Sequence, residues 1–184
     1  MRDNIDKNED SDKAVWYAIR TFNCQEMRVS EYLKQQGFIH FVPMAYTMNK
    51  KTDGKPKKEL VPIIHNMLFM QKTVSEEETL EKLKNCLVPL SILKKEKSTQ
   101  YYEIPDDQMI EFRAMCDPSR VDTRYITQQE AETKPGNEVR IIKGSFKGLI
   151  GKLVICDNDY FIVKTLAGIG VMMHVSKWYC QVIG

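Results

Sequence analysis

The side chains able to move protons, hold metals or attack substrates are few in this chain, and they are scattered along it. His40, His65 and His174 stand far apart, and no Cys-His or Ser-His pairing is signalled around any of them. The cysteines, Cys24, Cys86, Cys116, Cys156 and Cys180, are odd in number and contain no CxxC pair. That pattern reads as separate buried thiols in a reducing compartment, not as a disulfide framework or a zinc knuckle. No glycine-rich phosphate loop follows a strand-like run. The carboxylate pair Asp106-Asp107 falls at a predicted helix start, where it complements the helix dipole. Cys180, beside Trp178 and Tyr179, reads as packing rather than as a nucleophile. The inventory predicts a protein that is not an enzyme, with no metal ligands and no cofactor.

Charge narrows the partners. With 27 Lys and Arg against 25 Asp and Glu, the net charge of +2 gives no global field, so any nucleic-acid contact must be local. The local candidate is Lys50, Lys51, Lys55, Lys57 and Lys58, opposed only by Asp53 and Glu59, around an Asp53-Gly54 turn. Such a tip suits sequence-independent phosphate contacts; the same lysines also suit a solvated loop that binds nothing. No apolar run approaches the roughly 20 residues needed to cross a bilayer. Residues 1–13 are polar and charged where a secretory leader carries an apolar core, so a cytoplasmic protein with a frayed N-terminus is expected.

The elements that must position these residues follow from periodicity and turn chemistry. Residues 14–22, AVWYAIRTF, alternate and are rich in aromatic and β-branched types, which predicts a strand. Asn23 is a candidate N-cap with Glu26 completing a capping box, Gly37 a stop, and Met27, Val29 and Leu33 the apolar stripe of the helix between them. FIHFVPMAYTMN, bent at Pro43, and ELVPIIHNMLFM form a long hairpin around the lysine tip. Ser75 and Glu78 open a second helix with Leu80, Leu83 and Leu87 on one face; a short strand covers residues 90–93. Pro105 opens a third helix carrying Met109, Phe112 and Met115. The order β-α-β-β-α-β-α predicts an α+β domain over residues 14–116. Residues 117–133 are polar and read as a linker with a short ordered piece near Tyr125 and Ile126. Seven of the nine glycines lie at or beyond Gly136, and residues 134–184 give several short strands separated by tight turns, the pattern of a small β-barrel.

WYAIRTF at residues 16–22 resembles the opening strand of the NusG N-terminal (NGN) domain. VRIIKGSFKGLIGKLV at 139–154 resembles the KOW motif, with Gly144, Phe146, Gly148 and Gly151 as its spaced residues. IIHNMLFM at 63–70 is similar to that domain's strand motif of Phe-Pro-Gly-Tyr or Phe-Pro-Asn-Tyr followed by apolar residues. TLAGIGVMM at 165–173 is similar to a Leu-x-Gly-x-Gly stretch of specialised NusG paralogues, the antiterminators of capsular-polysaccharide operons. The resemblance implies an NGN-type antiparallel sheet with helices, followed by an SH3-like barrel, in a monomeric transcription elongation or antitermination factor. It implies that an apolar depression of the first domain meets the clamp helices of the largest RNA polymerase subunit. The residues it points to are Ile64, His65, Asn66, Met67 and Phe69 with Phe22 nearby, while Trp16 is read as core. His65-Asn66-Met67 departs from the family's Pro-Gly-Tyr, so Met67 stands for an aromatic and fills an apolar contact less rigidly.

By the same resemblance the hairpin lysines would reach non-template DNA or nascent RNA, and the barrel would dock a ribosomal protein or Rho. Gly168-Ile169-Gly170 departs from the general pattern of that docking loop, which implies a changed or lost Rho contact. The acidic stretch SEEETLE speaks against the base readout one paralogue makes near its second helix. One paralogue also folds this segment as a helical hairpin, but Val139, Ile141, Ile142, Phe161, Ile162 and Val163 favour strands here. The competing expectation is a KOW-type RNA-binding or ribosome-associated protein using Phe146, Tyr160 and Tyr179 on a barrel of net charge 7 − 3 = +4, counted from seven basic and three acidic residues over 134–177. It leaves the first domain unexplained.

Overall fold

The computed structural model describes residues 14–50, 56–119 and 123–183. Lys51 and Lys55 and the first 13 residues lie outside the described residues. The organising strand is β1 (Val15–Thr21), whose predicted alternation places successive side chains on opposite faces. It pairs antiparallel with β5 (Met67–Gln71) on one side, and with β6 (Leu90–Ile92) and β7 (Glu103–Pro105) on the other. The short strand β2 (His40–Phe41) extends the sheet beyond β5.

The register Tyr17↔Met70 and Ile19↔Leu68 gathers these four onto one face. They pack with Val29 and Leu33 of α1 (Glu26–Gln35) and Leu83 of α2 (Glu76–Lys84). On the other face, Trp16, Ala18 and Phe69 meet Met109, Phe112 and Met115 of α3 (Asp106–Met115), the stripe its spacing predicts. Helices thus cover both faces of the sheet, which is the α+β architecture expected.

Several local readings are corrected. Asn23 does not cap α1: its φ is +55°, and Gln25 precedes the helix. Glu26 turns inward instead, accepting the main-chain N–H of Asn66. Pro43 separates β2 from β3 (Met44–Lys50) rather than merely bending one strand. The strand β3 then pairs with β4 (Pro56–Pro62) as a separate two-stranded ribbon. Ser75 caps α2 by accepting the Glu78 N–H at 3.2 Å, but the helix ends at Lys84, so Leu87 misses its face and is 95% exposed.

The C-terminal half is a bent antiparallel sheet of β9 (Asn137–Ile141), β10 (Ile150–Cys156), β11 (Asp159–Leu166), β12 (Ile169–His174) and β13 (Cys180–Val182). A single-turn helix, Lys177–Tyr179, leads into β13. The strands favoured by the β-branched runs are present; the segment is not a helical hairpin. What read as a linker is largely built into this barrel. Residues Thr123–Thr127 form β8 against β12, with Tyr125 opposite Val171, and complete the order β13-β9-β10-β11-β12-β8. Residues Gln128–Thr133 form α4, closed by a reciprocal capping box between Thr127 and Glu130.

Gly151 of the KOW motif is required by close approach: a Cβ there would lie 2.7 Å from the Val163 carbonyl oxygen and 2.9 Å from Ile162 Cγ1. Gly151→Ala must push β11 away from β10 and is expected to cost about 1–3 kcal/mol. A denaturant midpoint no lower than that of the unsubstituted protein would contradict this reading.

Candidate functional site

The face of the sheet that carries α3 ends at the start of β5, and there the predicted contact residues separate into three kinds. Met67, opposite Arg20 in register, is half-buried. With Arg20, Leu93 and Tyr102 it lines a cleft of about 420 Å³ whose far wall is Gln128, Ala167 and Gly168 of the barrel. Ile64 is half-buried against the same apolar cluster. Phe22 is 46% exposed just past β1, and His65 is exposed in the turn before β5.

Phe69 is corrected. It is fully buried, edge-on to Phe112 at 5.2 Å between ring centroids and stacked near Phe41 at 6.4 Å, because α3 lies directly over it. Sharing a face with Met67 is not enough to reach a partner when a helix occupies that face two residues further on.

The helix α3 is also the joint between the halves. One apolar cluster runs from Trp16, Phe69 and Phe112 through Met115 into Val139, Ile162 and Val171 of the barrel. Glu111 on α3 ion-pairs with Lys164 on β11. Burial at this joint holds the Lys164 ammonium below the ordinary lysine range, with Asp107 pulling the other way. At the end of α3 burial pushes the Cys116 thiol up to about 12 beside Tyr125, whose phenol is raised by the same burial. Cys116 is therefore inert packing, as read from the sequence, but the other four thiols are not buried: Cys24 is exposed and Cys86, Cys156 and Cys180 are half-buried. Asp106 does more than complement the helix dipole: its Oδ1 accepts the Trp16 indole N–H at 2.7 Å and ties the helix start to β1. Arg113 lies over the rings of Trp16 at 5.7 Å and Phe41 at 5.5 Å.

The turn before β5 is held by Asn66, whose φ of +61° suits the left-handed region asparagine tolerates. Its Oδ1 accepts the Cys24 N–H at 2.9 Å, its carbonyl accepts the Thr21 N–H at 2.9 Å, and its own N–H goes to Glu26. Asn66 thus fixes the turn rather than offering a free polar group to a partner. The same clasp brings Cys24 Sγ to 3.8 Å from His65 Nδ1, a Cys-His neighbourhood across 41 residues that no spacing signals.

Of the hairpin lysines, Lys50 ends β3, and Lys57 and Lys58 lie on β4; the Lys58 ammonium sits 4.1 Å from the Tyr46 ring centroid. Tyr46, Met48 and Leu60 are exposed on this ribbon at 48%, 63% and 43%, so it is apolar as well as basic. On the barrel, Gly144 and Gly148 take φ of +86° and +99°, and Phe146 is half-buried against the core. Tyr160 carries Lys177 at 5.4 Å, and Tyr179 is 43% exposed. Other barrel cations are engaged internally: Lys152 donates to the Ala131 and Glu132 carbonyls, and Arg124 pairs with Asp157 at 3.1 Å. No helix is long and apolar enough to cross a membrane among the described residues.

A sheet backed by helices, a basic ribbon and a small barrel define a two-part α+β protein. The family model for transcription termination factor NusG matches residues 14–113, and the chain belongs to the NusG family. A solved structure of Thermotoga maritima NusG, described as domain interaction in that protein, shares this fold with a TM-score of 0.52 at 14% identity, over 94% of this chain and 98% of that one. A comparison with curated protein sequences returns no match. Membership makes the protein a non-enzymatic factor of transcription elongation or antitermination whose family interacts with RNA polymerase.

Proposed function

We propose that the N-terminal half, residues 14–116, binds the clamp helices of the largest RNA polymerase subunit through Ile64, Met67 and Phe22, and so promotes processive transcription. The observation that carries the reading is the cleft lined by Arg20, Met67, Leu93 and Tyr102: it is a recess of mixed polar and apolar lining at the end of the sheet that the domain's own helices leave open. The barrel, from β8 onward, forms the other wall of that recess. Clamp helices and barrel therefore compete for the same face, and binding requires the α3 joint to part.

The ribbon carrying Lys50, Lys57 and Lys58 then extends toward non-template DNA, where exposed Tyr46 and Met48 add apolar contact to phosphate neutralisation. The likeness of TLAGIGVMM to the stretch of specialised paralogues supports a factor serving a particular locus such as a polysaccharide operon, and its turn, Ala167-Gly168, lines the same cleft as Met67. That turn supports a changed Rho contact as well. The ribosome-associated reading is less favoured, since Phe146 packs against the core, Lys152 is bonded to main-chain carbonyls and Arg124 pairs with Asp157.

The test is affinity of the full chain for a clamp-helix fragment, compared with Lys164→Glu, which sets a like charge against Glu111 and Asp107. The variant is expected to bind about fivefold tighter or more, the scale of a coupling free energy of about 1 kcal/mol. No binding by either protein would remove the clamp contact; equal binding would remove the competition.

A further inference from the structure

The turn between β1 and α1 meets the turn between β4 and β5 at three ligand-bearing side chains. Cys24, Glu26 and His65 bring a sulfur, a carboxylate oxygen and an imidazole nitrogen within 4.8 Å of one another, with Cys24 Sγ and His65 Nδ1 3.8 Å apart. Around a tetrahedral ion with bonds of about 2.0 Å to nitrogen or oxygen and about 2.3 Å to sulfur, neighbouring nitrogen and oxygen ligands stand about 3.3 Å apart and sulfur about 3.5 Å from either. The Cys-His edge is within about 0.3 Å of that length, and the edges to the carboxylate need to close by at most about 1.5 Å.

The platform is held in place. Asn66 receives the Cys24 N–H and gives its own N–H to Glu26, so two of the three ligands are fixed by one residue. Glu26 is 1% exposed, and among the described residues no basic side chain ion-pairs with it. Its partner is a neutral main-chain donor, and a cation in the adjoining space would supply the opposite charge that a carboxylate in a buried site calls for. Cys24 and His65 are exposed, which leaves an entry path and room for a water as fourth ligand.

We propose that Cys24, Glu26 and His65 form a site for a borderline divalent ion of the zinc class, bound through the Cys24 thiolate, His65 Nδ1 and one Glu26 oxygen. The mixed sulfur, nitrogen and oxygen set disfavours magnesium and calcium, which take oxygen ligands. Binding releases the thiol proton and requires neutral imidazole, so affinity rises with pH. The ion ties together the two turns that carry Phe22 and Ile64.

The test uses the full-length, reduced, metal-free protein titrated with Co²⁺, with Zn²⁺ affinity read by competition against a chromophoric chelator. One equivalent of Co²⁺ is expected to give a thiolate-to-cobalt charge-transfer band that Cys24→Ser abolishes. Cys24→Ser and His65→Ala are each expected to weaken Zn²⁺ at least about tenfold, since even indirect partners of metal ligands carry effects of that size. Cys156→Ser, which removes the thiol beside Asp157, is expected to change neither readout. Both ligand substitutions fall at exposed positions, and circular dichroism shows whether the fold is kept. Absence of the thiolate band, its survival in Cys24→Ser, or unchanged Zn²⁺ affinity in His65→Ala would overturn the site.

Discussion

Phe69→Ala is expected to lower stability by about 3–5 kcal/mol, the range for removing a fully buried phenylalanine. Phe69 touches Phe41 across the sheet and Phe112 on α3, and α3 in turn packs on the barrel. The cavity opens beneath the joint, so both halves are expected to loosen, with a melting temperature lower by about 6–20 °C for a chain of this size. Phe22→Ala, at a position 46% exposed, is expected to stay within about 0.5 kcal/mol. Calorimetry on the two variants decides between core and surface roles. If Phe69→Ala melts with the unsubstituted protein, the burial ascribed to Phe69 is wrong.

Met67→Asp has the opposite profile. Its side chain borders the cleft, where water reaches a new carboxylate, so the fold should tolerate the change better than the loss of Phe69. Docked clamp helices would exclude that water and desolvate the new charge, a cost that Arg20 opposite it offsets in part and that leaves about 2 kcal/mol. Affinity is therefore expected to fall by about thirtyfold or more, while Met67→Leu, similar in volume, binds nearly as the unsubstituted protein does. Isothermal titration with the clamp-helix fragment, alongside circular dichroism, reads both quantities. Undiminished binding by a folded Met67→Asp would move the contact elsewhere on the protein.

Much of the fold is legible in the sequence because one pattern governs it. The near-continuous apolar run in VWYAIRT suits a strand covered on both faces at the centre of the sheet, and Met109, Phe112 and Met115 at helical spacing set the face of α3. The glycine-punctuated C-terminal strands follow the same logic. Tertiary context overrides local signals where the readings fail. Asn23 and Glu26 have capping-box spacing, but Asn66, forty residues away from Glu26, takes the carboxylate. Thr127 and Glu130 carried the same spacing and do form a capping box, yet the polar composition around them read as linker.

The site was legible less fully. Met67 lines the cleft and Ile64 packs on the apolar cluster, whereas the burial of Phe69 depends on where α3 lands, which strand alternation does not encode. The Cys24-His65 neighbourhood is invisible to spacing because two distant turns make it.

The strand β8 has one further consequence, which concerns where the chain can be cut. A fragment beginning at residue 134 would lack β8 and leave unpaired the main-chain donors and acceptors on that side of β12 (Ile169–His174), while its β11 side stays paired. Five of those six residues are buried in the intact chain. Freed of its neighbour, β12 becomes an open, largely apolar template for strand addition from a second molecule, and such a fragment should self-associate where one beginning at residue 117 stays monomeric.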